Sequence, residues 1–285
     1  MGLARELDYV YEVGKNPLLA YTMLHIIDKF QHTPCVAPEI LAKFESQTFK
    51  RDEPRYVLTP SRFYRILFLI HKACERKGLE LHLPYYWYKS GPVVHGRDAP
   101  RVFSVIRIAT TQQVVVSFDK WKDTVLIFDD CESSFSDAIL LTLGVGGLAQ
   151  RTRLDVIYEY SPSKLHKVLI TMLNELQDVT KKEVVDEGDI DALAKLLARV
   201  VGECMEERYS ELCSSFGGAA EKIQTELTAR SNMRYVWRIV QDMWNVLSLG
   251  LRAKENANVN QKQVLVWENK YALALSAFEQ QFSCA

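Results

Sequence analysis

The residues best suited to chemistry gather in LHLPYYWYKSGPVVHGRDAP, residues 81–100, where His82, His95, Arg97 and Asp98 flank a run of aromatics. Imidazole titrates near neutrality, so a histidine with a nearby acid and arginine can support acid–base work or phosphodiester cleavage. Asp129 and Asp130 end the apolar run TVLIFDD and form the kind of carboxylate pair that holds Mg²⁺ in a nuclease. Together, His82, His95, Arg97, Asp98, Asp129 and Asp130 define a metal- or histidine-dependent nuclease alternative. Asp186, Glu187, Asp189 and Asp191 form a second acidic group, but they precede a helical pattern, where acids complement the positive end of the helix. Two His-x-x-Cys pairs occur, His32 with Cys35 and His71 with Cys74. Each offers two ligands where a structural zinc needs four, so no metal and no cofactor is expected. P-loop, dinucleotide-fold, GxSxG and HExxH signatures are absent, and LGVGGLA at 143–149 lacks the phosphate-loop lysine. The balance favours a protein that is not an enzyme.

The aromatics themselves are the second candidate. In a strand, Tyr85, Trp87 and Lys89 point to one face while Tyr86 and Tyr88 point to the other. Large rings on both faces are either core and edge packing, a strip that docks a partner protein, or a platform for nucleic-acid bases. The partner-binding reading takes Tyr85, Tyr86, Trp87, Tyr88 and Lys89. Pro92 bars a regular central strand, and Ser90-Gly91 allows a sharp bend.

The elements that position these residues are mostly helices. A capping residue followed by proline occurs at Asn16-Pro17, Thr59-Pro60 and Ser161-Pro162, less well at Ala37-Pro38, which predicts helices over 17–31, 38–48, 60–77 and 162–178. In the third, Phe63, Ile66, Leu67, Ile70, Ala73 and Cys74 make one apolar stripe, with Gly78 as its stop. Arg62, Arg65, Lys72, Arg76 and Lys77 crowd the rest of that helix. β-branched runs then predict a small antiparallel sheet over about 101–129, a helix after Ser133 or Ser134, and a strand at LDVIYEYSP.

DVTKKEVVDEGD is the candidate linker. Beyond it, an apolar stripe from Leu193 to Cys213 predicts one long helix, SFGG at 215–218 a turn, and 219–252 a second helix. KENANVN reads as another turn, and a third helix follows around Trp267, Leu273 and Phe278. The expected fold is therefore α+β and mostly α. A helical domain with a small sheet spans 1–180, and an antiparallel three-helix bundle, which could also mediate homo-oligomerisation, spans 186–285.

Composition agrees with a globular chain: 285 residues, 48% hydrophobic and 25% charged. The longest apolar runs are too short to cross a bilayer, and the start lacks a signal-peptide core, so no membrane and a cytoplasmic location are expected. Six scattered cysteines without a CxxC predict reduced thiols. Residues 1–120 carry 17 Lys+Arg and 12 Asp+Glu, a balance of +5, whereas 121–285 carry 18 and 24, a balance of −6. A front half this mildly basic admits an acidic partner but is weak for non-specific nucleic-acid binding.

The helix FYRILFLIHKACERKG followed by Trp87, Tyr88, Gly91, Pro92, Val93 and Val94 resembles the helix-then-aromatic-turn segment of Panacea-domain proteins. Lys89 and Ser90 are inserted where that family has Tyr directly before Gly, and the match covers about 60–100. The resemblance implies a mostly helical domain that works by binding protein, as an antitoxin or defence-related adaptor, without catalysis. The leading expectation is thus a non-enzymatic interaction module with a protein partner such as a toxin or effector. Three helices followed by strands also suggest a winged-helix-like DNA-binding regulator, in which Arg62, Arg65, Lys72, Arg76 and Lys77 meet phosphates.

Overall fold

The computed structural model describes residues 16, 18–20, 22, 23, 26, 60–100, 104–108, 111–115, 151–182, 184–204 and 207–283. The expected helix at 38–48, the strand ending at Asp130 and the helix after Ser133 lie outside them. The protein is mostly α with a small antiparallel sheet. It divides into two compact units, Met1–Tyr85 with Pro92–Thr152, and Tyr86–Gly91 with Arg153–Ala285. This boundary differs from a division near 180–186, because the helix at 164–179 packs on the helices that follow it.

In the first unit, α1 (Pro60–Glu75) buries Phe63, Ile66, Leu67, Ile70 and Cys74, the stripe read from the sequence. It ends in a Schellman turn. Gly78 takes φ 76°, its N–H donates to Glu75 O at 3.0 Å, and Leu79 N–H donates to Cys74 O at 2.9 Å. Residues 18–20, 22, 23 and 26 are helical, and Asn16 Oδ1 accepts from Leu19 N–H at 3.2 Å, which is the cap expected at Asn16-Pro17. β3 (Ser104–Ile108) and β4 (Thr111–Val115) form an antiparallel hairpin with Ser104 opposite Val115. The aromatic segment gives β1 (Tyr85–Tyr88) and β2 (Gly91–Val94). With β5 (Asn256–Ala257) they form a sheet of order β2-β1-β5. Pro92 thus sits on an edge strand, where its missing N–H breaks no ladder.

The second unit is helical: α2 (Arg153–Tyr160), α3 (Lys164–Val179), α4 (Glu187–Glu203), a 3-10 turn at Glu207–Leu212, α5 (Cys213–Thr228), α6 (Met233–Lys254) and α7 (Gln261–Ser283). Several expectations are corrected here. LDVIYEY is helix, not strand: Val156 and Ile157 are both buried while Tyr158 is 45% exposed, a helical face that alternation cannot produce. Ser163, not Ser161, caps α3, accepting from His166 N–H at 3.3 Å. The stripe from Leu193 to Cys213 is broken after Glu203.

SFGG lies inside α5 rather than forming a turn. A Cβ on Gly218 would sit 3.0 Å from the Phe282 carbonyl oxygen, so this glycine serves close helix approach and not chain reversal. The run 219–252 is two helices. Its break carries Arg230 at φ 51° and Asn232 at φ 35°, with the Asn232 side chain accepting from Tyr235 N–H at 3.2 Å. Asn tolerates the left-handed region and caps helices, so Ser231-Asn232 could have been read as a break without any glycine or proline. Among the described residues after 186 there are four long helices rather than three, and α3 packs against α4 and α6.

Asp186 and Asp189 form a capping box at the start of α4, and Lys182 Nζ donates to Asp189 Oδ1 at 2.6 Å. The acidic group there is a helix start. Where α6 meets α7, Gly250 lets the helices approach: a Cβ would fall 3.0 Å from Tyr271 Cε2. That ring cannot easily yield, because its hydroxyl donates to Glu211 at 2.7 Å. Burial opposes the charge on Glu211, yet hydrogen bonds from Lys254 and Tyr271 hold its carboxyl below the usual range. Gly250→Val is expected to destabilise the protein by about 1–3 kcal/mol through overpacking, read as a lower denaturant midpoint.

Candidate functional site

The aromatic strip is divided between the two units. Tyr85 belongs to the first, packed edge-on against Phe68 at 5.1 Å and His71 at 5.5 Å, with Lys72 Nζ donating to its hydroxyl at 3.2 Å. Trp87 belongs to the second and is core, 4% exposed, with its N–H donating to Glu255 O at 2.9 Å as β1 pairs with β5. Gly91, at φ 98°, closes the hairpin tip, while Ser90 Oγ accepts from Arg153 Nη1 at 3.3 Å. Tyr86, Tyr88 and Lys89 are half-buried.

Tyr86 and Tyr88 surround a group that the sequence reading missed. The guanidinium carbon of Arg252, near the end of α6, lies 4.4 Å from the ring centre of Trp267, 4.6 Å from Tyr86 and 5.5 Å from Tyr88. Tyr86 and Trp267 pack together at 4.6 Å. Each cation–π contact is worth about 0.5–2 kcal/mol, depending on desolvation. Among the described residues no carboxylate pairs with Arg252, and its buried Nε has no hydrogen-bond partner. Burial raises the Tyr86 hydroxyl above its ordinary range although Arg252 pulls the other way. Three rings crowd the guanidinium, and among the described residues no acceptor engages its N–H donors, an arrangement suited to a carboxylate or phosphate.

Beneath Trp87 lies a buried histidine. His166 stacks on Trp244 at 4.7 Å and 13°, meets Trp87 edge-on at 6.2 Å, and places Nδ1 2.9 Å from Ser161 Oγ. Burial, with Arg153 and Lys167 nearby, pushes its pKa down to about 3, so the ring is neutral. The serine and histidine have the residue types of a nucleophile and its base, but both are buried, Ser161 just before the Ser163 cap of α3 and His166 in its first turn.

Of the nuclease candidates, His95 and Asp98 are brought together at 2.9 Å. His82 is mostly exposed and pairs with Glu80 at 3.6 Å, Arg97 is exposed, and Asp129 and Asp130 lie outside the described residues. Of the α1 basic residues, Lys72 is tied to Glu75 at 2.7 Å, Arg65 is half-buried, and Arg76 and Lys77 are exposed; the Arg62 side chain lies outside what is described.

His71 is buried beside Glu75, its Nε2 3.1 Å from the carboxylate; burial lowers its pKa against the pull of Glu75. Cys74 is a free thiol whose pKa burial pushes up to about 11, which makes it unreactive. Among the described residues, no three His, Cys, Asp or Glu side chains gather as a metal site would require. No helix among them is long and apolar enough to cross a membrane. No protein-family model, curated protein or solved structure matches the chain.

Proposed function

We propose that the chain is a non-enzymatic protein-interaction module, antitoxin-like or defence-related in character, which engages its partner at the surface made by Tyr86, Tyr88 and Arg252. One observation carries this reading. A guanidinium set against rings, with no carboxylate partner among the described residues, is bordered by half-buried tyrosines, and arginine with large aromatics is the composition that dominates binding energy at protein interfaces. A partner presenting an aspartate, glutamate or chain-terminal carboxylate would supply the bidentate acceptor that Arg252 lacks. In this reading Trp87 is the anchor below the surface and Lys89 flanks it.

The test uses a partner identified by cross-linking to the full chain and then purified. Tyr88→Ala and Arg252→Met are each expected to weaken its affinity about tenfold or more, as loss of a charged hydrogen-bonded contact does. Circular dichroism should show both variants folded. Unchanged affinity in the folded double variant would remove the proposal.

A further inference from the structure

The second unit also carries a groove of about 520 Å³ lined by Gln177 and Thr180 of α3 and by Arg234, Trp237 and Arg238 of α6. We infer that this groove binds a nucleoside phosphate, with the phosphate held by Arg234 and Arg238 and the base lying against Trp237. The volume is that of a small-molecule site.

Arg234 and Arg238 stand four apart on one helix face, a like-charge spacing that by itself disfavours the helix. Both are exposed, and among the described residues neither has an ion-pair or hydrogen-bond partner. Neighbouring cations are neutralised: Arg230 by Glu187 at 2.9 Å, Lys181 by Asp178 at 3.0 Å and Lys182 by Asp189 at 2.6 Å. Asp242, one turn beyond Arg238, attracts that arginine electrostatically without a salt bridge and also hydrogen-bonds Asn245. Two guanidiniums without a salt bridge among the described residues, Arg234 in the first turn of α6 and Arg238 in the second, form a phosphate site, to which the helix dipole adds at Arg234.

The remaining lining specifies what the phosphate is attached to. Trp237 is half-buried between the arginines, and an indole face stacks any base. Gln177 is exposed, so its amide can pair with a base edge, while the Thr180 hydroxyl donates to the Gln177 carbonyl at 3.0 Å and stiffens that wall. An inorganic anion would use neither group. A polynucleotide would meet the exposed carboxyl group of Glu175 on α3, which repels a long polyanion. The inference is independent of the protein-binding surface, since it uses none of its residues.

Calorimetric titration of the full chain with AMP, GMP, CMP and UMP in turn, beside inorganic phosphate and adenosine, tests it. At least one nucleotide is expected to bind below about 1 mM, with phosphate and adenosine about tenfold weaker or more. The Arg234→Gln, Arg238→Gln double variant, altered only at exposed positions, is expected to lose about tenfold or more, and Trp237→Leu to weaken binding as well. The inference is overturned if none of the four nucleotides binds at about 1 mM. It is equally overturned if phosphate binds as tightly as the nucleotide, or if the double variant keeps its affinity.

Discussion

His166→Phe is expected to remove much of the acid sensitivity of the second unit. In the folded protein the imidazole is neutral, because burial holds its pKa at about 3 instead of the ordinary 6.5. Below pH 6.5 the unfolded chain binds a proton that the folded chain refuses. The stabilisation is thus complete above the unfolded value and falls as pH descends, by about 1.4 kcal/mol per pH unit, until the folded ring itself protonates. Phenylalanine keeps a flat ring against Trp244 but cannot titrate. Its loss of the Ser161 contact costs about 1 kcal/mol at every pH and leaves the slope alone. Urea unfolding of both proteins at several pH values between about 7 and 4 reads the difference as a slope. Parallel pH dependences would show that His166 does not carry the effect.

Trp267→Ala is expected to cost about 3–5 kcal/mol, the range for truncating a large buried aromatic. Trp267 is 2% exposed on α7, and its ring is the nearest wall of the Arg252 site. Removal leaves a cavity between α6 and α7 and takes away the strongest stacking contact of a guanidinium with no compensating carboxylate among the described residues. Trp267→Phe retains a ring and should fall between the two. Denaturant midpoints at unchanged slope measure both variants. A loss under about 1 kcal/mol for the alanine variant would mean that α7 packs independently of this ring.

Much of the fold is legible in the residues. The α1 stripe, its Gly78 stop and the hairpin at 104–115 follow from periods of 3.6 and 2 and from the glycine that a left-handed turn requires. These are local consequences, set by neighbours a few positions away. The errors have a common cause. SFGG at 215–218 looked like a turn because glycine is ambiguous: it permits chain reversal, and it also permits two helices to touch. Which use applies depends on Phe282, more than sixty residues away. The LDVIYEY segment has β-branched residues that suit a strand, yet burial of adjacent Val156 and Ile157 outweighed that preference.

The candidate site divides along the same line. That Tyr86, Trp87 and Tyr88 belong to a dense aromatic strip could be read from four aromatics in a row. That Trp87 is core, that Tyr85 belongs to a different unit, and that Tyr86 and Tyr88 face Arg252 and Trp267 could not. Arg252 in sequence is one more charge near a helix end, and Trp267 one more apolar position. By itself the amino-acid sequence determined the periodic elements and the stock of aromatic and basic side chains. Tertiary structure alone decided which cations found carboxylates and which met rings instead, because ion pairing and stacking reach only a few ångströms and close contacts between distant segments exist only once the chain is packed.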